Sequence, residues 1–406
     1  MARVLVVLVM MLGHAVPAHD WPQLLGPARN GVYAGTNLLS MWPKEGPRVL
    51  WRKDVGQGFS GPVSASNRVV LFHRVADAER VECFEATSGK QLWRFDYPTA
   101  YRDDFGFDEG PRAIPTISSN RVYTYGAEGI LHSVDFATGQ KLWSVDCKTE
   151  FGARKGFFGI AVSPLIAEEL LLLDIGGTKA GIVAFDRETG KVRWKTAASE
   201  TSYSSPAAAT IKGRTCAFFF RREGLEAIEP ATGKALWEFQ WRPSMDASVN
   251  AATPIVAGDL IFISTSYGRG AAVLRFGEPK PDVVWSGDDQ LSNHYATSVH
   301  HDGYLYGYHG RQEHGCDLRC VELKTGKVMW SVERFGAGTV MIAGADLLLL
   351  TEKGELIKAA ANPGGFKPVS RAQVLGLGTR AYPALADGLF VARDKRRLVC
   401  VDLRGR

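Results

Sequence analysis

The chain is poor in cysteine, with six among 406 residues and no two of them adjacent. Cys83 and Cys320 each stand ten residues before a tryptophan, and Cys400 lies in the matching stretch of the last unit. Equivalent positions in separate units point to a shared packing role. Cys316 and Cys320 are four residues apart, about 13 Å along a strand, beyond the reach of a disulfide unless the chain bends there. Long apolar runs are also missing. Val4 to Leu12 is an unbroken apolar stretch, but crossing a bilayer takes about 20 residues. An excess of one sign of charge is lacking too: 48 Lys and Arg stand against 43 Asp and Glu, a formal net charge of +5, so no general basic surface for nucleic acid is implied. Lys395-Arg396-Arg397 is the one tight basic run, and it reads as a solvated hairpin tip. No segment carries a long helical stripe. No Ser-His-Asp order, phosphate loop or paired zinc motif is legible.

The first residues read as an export signal. Arg3 supplies a positive charge, Val4 to Leu12 the apolar stretch, and Val16-Pro17-Ala18 the small residues for cleavage after Ala18. No cysteine follows the stretch to take a lipid. The mature protein is therefore expected to begin near His19, to be periplasmic or extracellular, and to be a monomer with no lipid anchor.

Glycine is abundant, 44 residues, which suits a fold rich in turns. A phrase ending in a glycine turn and then tryptophan recurs, as in Thr138-Gly139-Gln140-Lys141-Leu142-Trp143 and Thr325-Gly326-Lys327-Val328-Met329-Trp330. Trp51, Trp93, Trp143, Trp194, Trp237, Trp285 and Trp330 form a ladder with a spacing of about 46.5 residues. Pro62, Pro115, Pro164, Pro206, Pro254 and Pro383 each open an apolar segment, with Ser298 and Val340 in the two remaining slots. Val369 fills the one tryptophan slot that lacks a tryptophan. Each unit reads as four short strands, so the fold is expected to be all-β: an eight-bladed β-propeller. The last unit lacks a fourth strand, and Arg48–Asp54 is a fourth strand without its first three. Pairing them closes the ring and removes two edges. The expected organisation is a signal peptide over 1–18, an arm over 19–45 lying on the outside of the propeller, and the propeller over 46–406.

The repeat resembles that of the PQQ-like β-propeller family, and Trp21 to Gly31 is similar to the leader of many exported members. That family contains quinoprotein dehydrogenases and BamB, a membrane-tethered assembly scaffold. For a dehydrogenase the resemblance implies a quinone over calcium, a catalytic Asp, and a vicinal Cys-Cys pair that this chain lacks. Residues just before each strand-opening proline are expected to face the axis. They include Arg112, Ser163, Tyr203, Ser205, Asn250, Thr253, His294, Tyr295, Thr297, Thr339, Arg380 and Tyr382. This set holds two arginines and no carboxylate, so the funnel is expected to be polar and partly cationic, suiting an anionic or hydroxyl-rich ligand. Arg112, Tyr203, Asn250, His294, Tyr295, Arg380 and Tyr382 are the candidate binding residues. No catalytic residue is assigned, and no metal or cofactor is expected; PQQ and calcium enter only under the dehydrogenase alternative. His309, Glu313 and His314 flank a turn, which reads as solvated rather than as an ion site. The favoured function is a non-catalytic scaffold that binds a protein, peptide or glycan, with no role for nucleic acid.

Overall fold

A computed structural model describes residues 19–405; the expected signal peptide lies outside them. The chain forms eight antiparallel sheets of four strands each, one per repeat, with a fifth, short strand added to the seventh. Blade 1 is built from Val63–Ala65, Arg68–Val75, Ala78–Glu85 and Gln91–Pro98, and the others repeat that order. Blade 8 takes its first three strands from Ala384–Ala386, Leu389–Arg393 and Arg397–Asp402 and its fourth from Arg48–Asp54. Trp51 faces Cys400 across that closing pair. The β-propeller and its closure therefore stand as expected.

The core is not central. It is divided into eight apolar layers, one between each pair of neighbouring blades. Side chains on a strand alternate in direction, so one strand feeds two layers. Val70 and Phe72 pack toward Ile117 and Val122 of blade 2. Val69 and Leu71 pack toward Val391 and Cys400 of blade 8. This two-sided burial is why the second and third strands read as continuous apolar runs.

Each fourth strand carries a one-residue bulge, and seven of the eight place tryptophan directly after it. Cys83 faces Trp93 and Phe84 faces Gln91, so Leu92 is the extra residue. The same shift recurs before Trp143, Trp194, Trp237, Trp285, Trp330 and Trp51. In blade 7 Lys358 faces Ser370 and Ala359 faces Pro368. Ser370 thus holds the tryptophan position, and Val369 is the bulge residue rather than the slot assigned to it above. The bulge re-aims the side chain, which lets the indole lie over the next blade. Ring atoms of Trp93 would meet a Cβ on Gly139 at 2.5 Å, and Trp51 bears the same relation to Gly89. The indole N–H of Trp51 donates to Ala86 O and that of Trp93 to Phe136 O.

The arm departs from expectation. Its first half runs along the inner strands instead of lying outside. Trp21 exchanges two backbone hydrogen bonds with Ser64 of blade 1, and Ile117 N of blade 2 donates to Pro22 O. Arg29 Nη1 donates to Pro206 O of blade 4 at 2.8 Å, and Nη2 to Pro164 O of blade 3 and Thr116 Oγ1 of blade 2. Val32–Tyr33 pairs in parallel with Ile342–Ala343 of blade 7, and the Tyr33 hydroxyl accepts from Gly388 N of blade 8. The reason lies in the inner strands: most are three residues long with a free edge, and buried backbone groups need partners. The second half of the arm does lie peripherally. There Trp42 joins the layer between blades 7 and 8, and its backbone N–H donates to Oγ of Ser370, the residue that stands where blade 7 lacks its own tryptophan.

Candidate functional site

Two rings of residues precede the inner strands, at fixed offsets from the strand-opening position. The nearer ring contains Ser163, Ser205, Thr253, Thr297, Thr339 and Tyr382. Its hydroxyls form a belt of two arcs from blade to blade, with Thr339 Oγ1 outside both and without a partner among the described residues. Ile114 N donates to Ser163 Oγ at 2.8 Å, and Ser163 N donates to Ser205 Oγ at 2.9 Å. Thr253 N donates to Thr297 Oγ1 at 2.9 Å, and Thr297 N to the Tyr382 hydroxyl at 2.6 Å. The serines and threonines of this ring are buried. Tyr382 reaches from blade 8 to blade 6, where its hydroxyl donates toward Tyr295 O and Thr297 Oγ1. Burial raises the pKa of that hydroxyl, so it stays neutral. In these contacts the hydroxyl oxygens of Ser163, Ser205 and Thr297 accept from backbone N–H groups of a neighbouring blade. Below the belt, Arg29 closes the channel from the opposite end; its guanidinium has no carboxylate partner among the described residues, and burial lowers its pKa to about 9.

The farther ring holds Phe59, Arg112, Tyr203, Tyr295 and Arg380, which surround the open mouth. Arg112 Nη2 bonds Asp103 Oδ2 at 3.0 Å. Burial alone would raise Asp103, yet N–H donors from Phe105 and Asp108 together with Arg112 hold it below its ordinary value. Arg380 Nε lies 2.9 Å from Glu352 Oε1, which also accepts from the Tyr295 hydroxyl. Burial, then Glu352, push the Tyr295 hydroxyl well above the usual phenol range. Both arginines therefore sit beside carboxylates, so neither is the free positive charge expected from the ring alone. Asp103 comes from the loop just ahead of Arg112, nine residues earlier, whereas Glu352 comes from a hairpin of the preceding blade. Phe59 lies between the two guanidinium groups, 5.4 Å from Arg112 and 6.0 Å from Arg380. It was missed, although it stands at the same offset from Pro62 as Tyr203 does from Pro206.

The remaining candidates scatter. Asn250 Nδ2 donates to Arg221 O, and its backbone joins Tyr203, Ser204 and Ser202. His294 bonds the Tyr267 hydroxyl at 2.8 Å and Gln312 Oε1 at 2.5 Å, and burial lowers its pKa. His309 Nδ1 accepts from Ser292 N, while Glu313 approaches His294 at 4.0 Å. Among the described residues no group of three His, Cys, Asp or Glu is arranged to hold a metal ion.

Sequence reading also missed an aromatic cluster beside the mouth. The insertions over 101–110 and 152–160 bring Phe105, Phe107, Phe157 and Phe158 together, with ring centroids 5.1–6.4 Å apart. Phe158 continues to Tyr203 at 5.8 Å, and its N–H donates to the Tyr203 hydroxyl. Phe105 and Phe107 are each 56% exposed. Four phenylalanines within two short glycine-containing insertions were the available signal.

Comparison with known proteins agrees with this architecture. The family described as outer membrane protein assembly factor BamB matches residues 77–331. The chain belongs to that family. BamB of Yersinia pestis is 20% identical over 292 residues, covering 69% of this chain and 71% of that protein. The quinohemoprotein alcohol dehydrogenase ADH-IIG of Pseudomonas putida is 29% identical, over only 28% of this chain and 16% of its own length. The crystal structure of BamB from Moraxella catarrhalis superposes with a TM-score of 0.63 at 14% identity, covering 87% of this chain and 96% of that one. Quinohemoprotein alcohol dehydrogenase from Comamonas testosteroni gives 0.69 at 14% identity, covering 96% and 81%. At such identities the structural matches speak to fold alone.

Proposed function

We propose that the protein is a non-catalytic, protein-binding propeller of the cell envelope, exported by its N-terminal signal. Family membership supports the scaffold role. The observation that carries the non-catalytic part is the filled axis. Hydroxyl oxygens of Ser163, Ser205, Thr297 and Tyr382 are engaged by backbone N–H groups, Tyr382 reaches from blade 8 to blade 6 within that belt, and Arg29 is fixed below it by blades 2, 3 and 4. Calcium requires six to eight oxygen ligands, usually with carboxylates among them, and the carboxylates beside this axis, Asp103 and Glu352, are held by Arg112 and Arg380. The residues around this axis do not fit a quinone over calcium. The mouth ring, with its paired arginines and tyrosines, then serves as part of a recognition face.

Purified protein titrated with PQQ and calcium tests the reading. No rise in melting temperature and no dye reduction with alcohols or sugars is the expected result. A rise accompanied by dye reduction would overturn it.

A further inference from the structure

The face that carries the open mouth has a chemistry of its own. A cleft of about 740 Å³ runs from Phe59 and Phe107 to Lys353 and Arg334 of blade 7, and a second of about 470 Å³ lies between blades 7 and 8. Leu377 and Lys395 line both, so the two form one trough. Leu377 is 79% exposed. The basic run read as a solvated hairpin tip is the wall of this trough: Lys395, Arg396 and Arg397 stand opposite Leu377, with Arg52 beside them.

The charges of the trough are unbalanced. Among the described residues, Arg52, Lys353, Lys395, Arg396 and Arg397 form no ion pair, whereas its carboxylates are mostly engaged. Glu352 serves Arg380 and Tyr295, and Glu355 serves Arg371. Asp394 accepts from the backbone of Arg396, Arg397 and Gly376. Glu333 is the exception. At the other end Phe107 belongs both to the trough and to the exposed phenylalanine cluster. Contiguous exposed apolar groups rimmed by polar residues mark interaction sites.

We propose that this trough binds an extended segment of a protein partner bearing acidic and aromatic side chains. Its acidic residues would lie against Lys395, Arg397 and Arg52, and its aromatic residues against Phe107, Phe105 and Leu377. The concave shape favours a chain over a flat anionic bilayer, since the cations line a cleft instead of standing on a convex rim. The proposal rests on the protein-binding reading above and names the chemistry of what is bound.

The test is fluorescence anisotropy with a labelled peptide of alternating Glu and Phe, against control peptides of alternating Lys and Phe and of alternating Glu and Ala. The Glu–Phe peptide is expected to bind tightest, and more weakly as salt is raised. The double variant Lys395→Glu, Arg397→Glu is expected to weaken it about tenfold or more, and Phe107→Ala by about fivefold or more. Both variants should keep the wild-type melting temperature, because all three side chains are exposed. Equal binding of the Lys–Phe peptide, or unchanged affinity in both variants, would overturn the proposal. So would cosedimentation with anionic phospholipid vesicles that the same variants abolish, which would make the trough a membrane surface. A null peptide titration alongside a null PQQ response removes only the trough, whereas a positive PQQ response removes the scaffold reading itself.

Discussion

At the scale of single residues, two buried basic groups make the plainest claims. Arg29 has no counter-charge and holds three blades by donating to their inner-strand oxygens. Replacing it by methionine keeps the volume but leaves Pro206 O without its side-chain donor and Pro164 O with the Thr116 hydroxyl alone. Arg29→Met should therefore destabilise the protein by about 1–3 kcal/mol, read as a lowered urea midpoint. His132 is the second. It packs against Tyr97 at 4.2 Å and Phe95 at 5.2 Å, and burial, then Lys141, depress its pKa from 6.5 to about 4. The folded state thus refuses a proton that the unfolded state accepts. The stability this provides is complete above about pH 6.5 and is lost as pH falls from there to about 4, by on the order of 3 kcal/mol. His132→Gln should flatten the fall of the urea midpoint across that window, and an unchanged slope would refute the assignment. Little of this was legible. Nothing in the sequence sets Arg29 apart from the other arginines, because its partners are backbone oxygens supplied by three distant repeats.

At the scale of elements, the unit is a bulged strand whose indole covers the glycine turn of the next blade. The residue facing each tryptophan is small in most blades: Cys83, Ser133, Ala184, Ala227, Cys320 and Cys400. The suspected packing role of the cysteines is thereby explained, and all six thiols are free and buried. Turn glycines differ in what they allow. Gly139, at φ +74°, would press a Cβ into Trp93, while Gly213, at φ +81°, has nothing within 4 Å. Alanine at Gly213 should cost about 1–2 kcal/mol for the left-handed backbone alone. Alanine at Gly139 should cost clearly more, since the indole must also move; equal losses in chemical denaturation would contradict the packing described. The repeat and strand order were legible because tryptophan, glycine and proline mark fixed points of each unit. The bulge was not, because two adjacent apolar residues such as Leu142 and Trp143 do not reveal which of them leaves the ladder. That ambiguity produced the error at Val369 and Ser370.

At the scale of the molecule, the ring is held twice, by the strand exchange in blade 8 and by the arm. The arm touches blades 1, 2, 3, 4, 7 and 8 through hydrogen bonds. A chain lacking residues 19–33 should still form blades, since every blade keeps its four strands. It should melt lower by on the order of 5–10 °C, from losses of a few kcal/mol, and should bind ANS at the uncovered inner edges. An unchanged melting temperature would show that the arm is a passenger. Its path could not be read from periodicity, because it belongs to no repeat and its partners are spread around the whole circle. The candidate binding ring fared between these cases. Offsets from proline located the mouth residues, but not the carboxylates of Asp103 and Glu352 that neutralise them, which arrive from a loop and a hairpin outside the repeat logic.

Stoppering one end by the protein's own chain makes the disc two-faced. Under the binding role proposed above, a partner gathers on the side of the phenylalanines and the basic trough. The reverse side, where the glycine turns and the arm emerge, is left available as a back by which the disc can be held while its front is occupied.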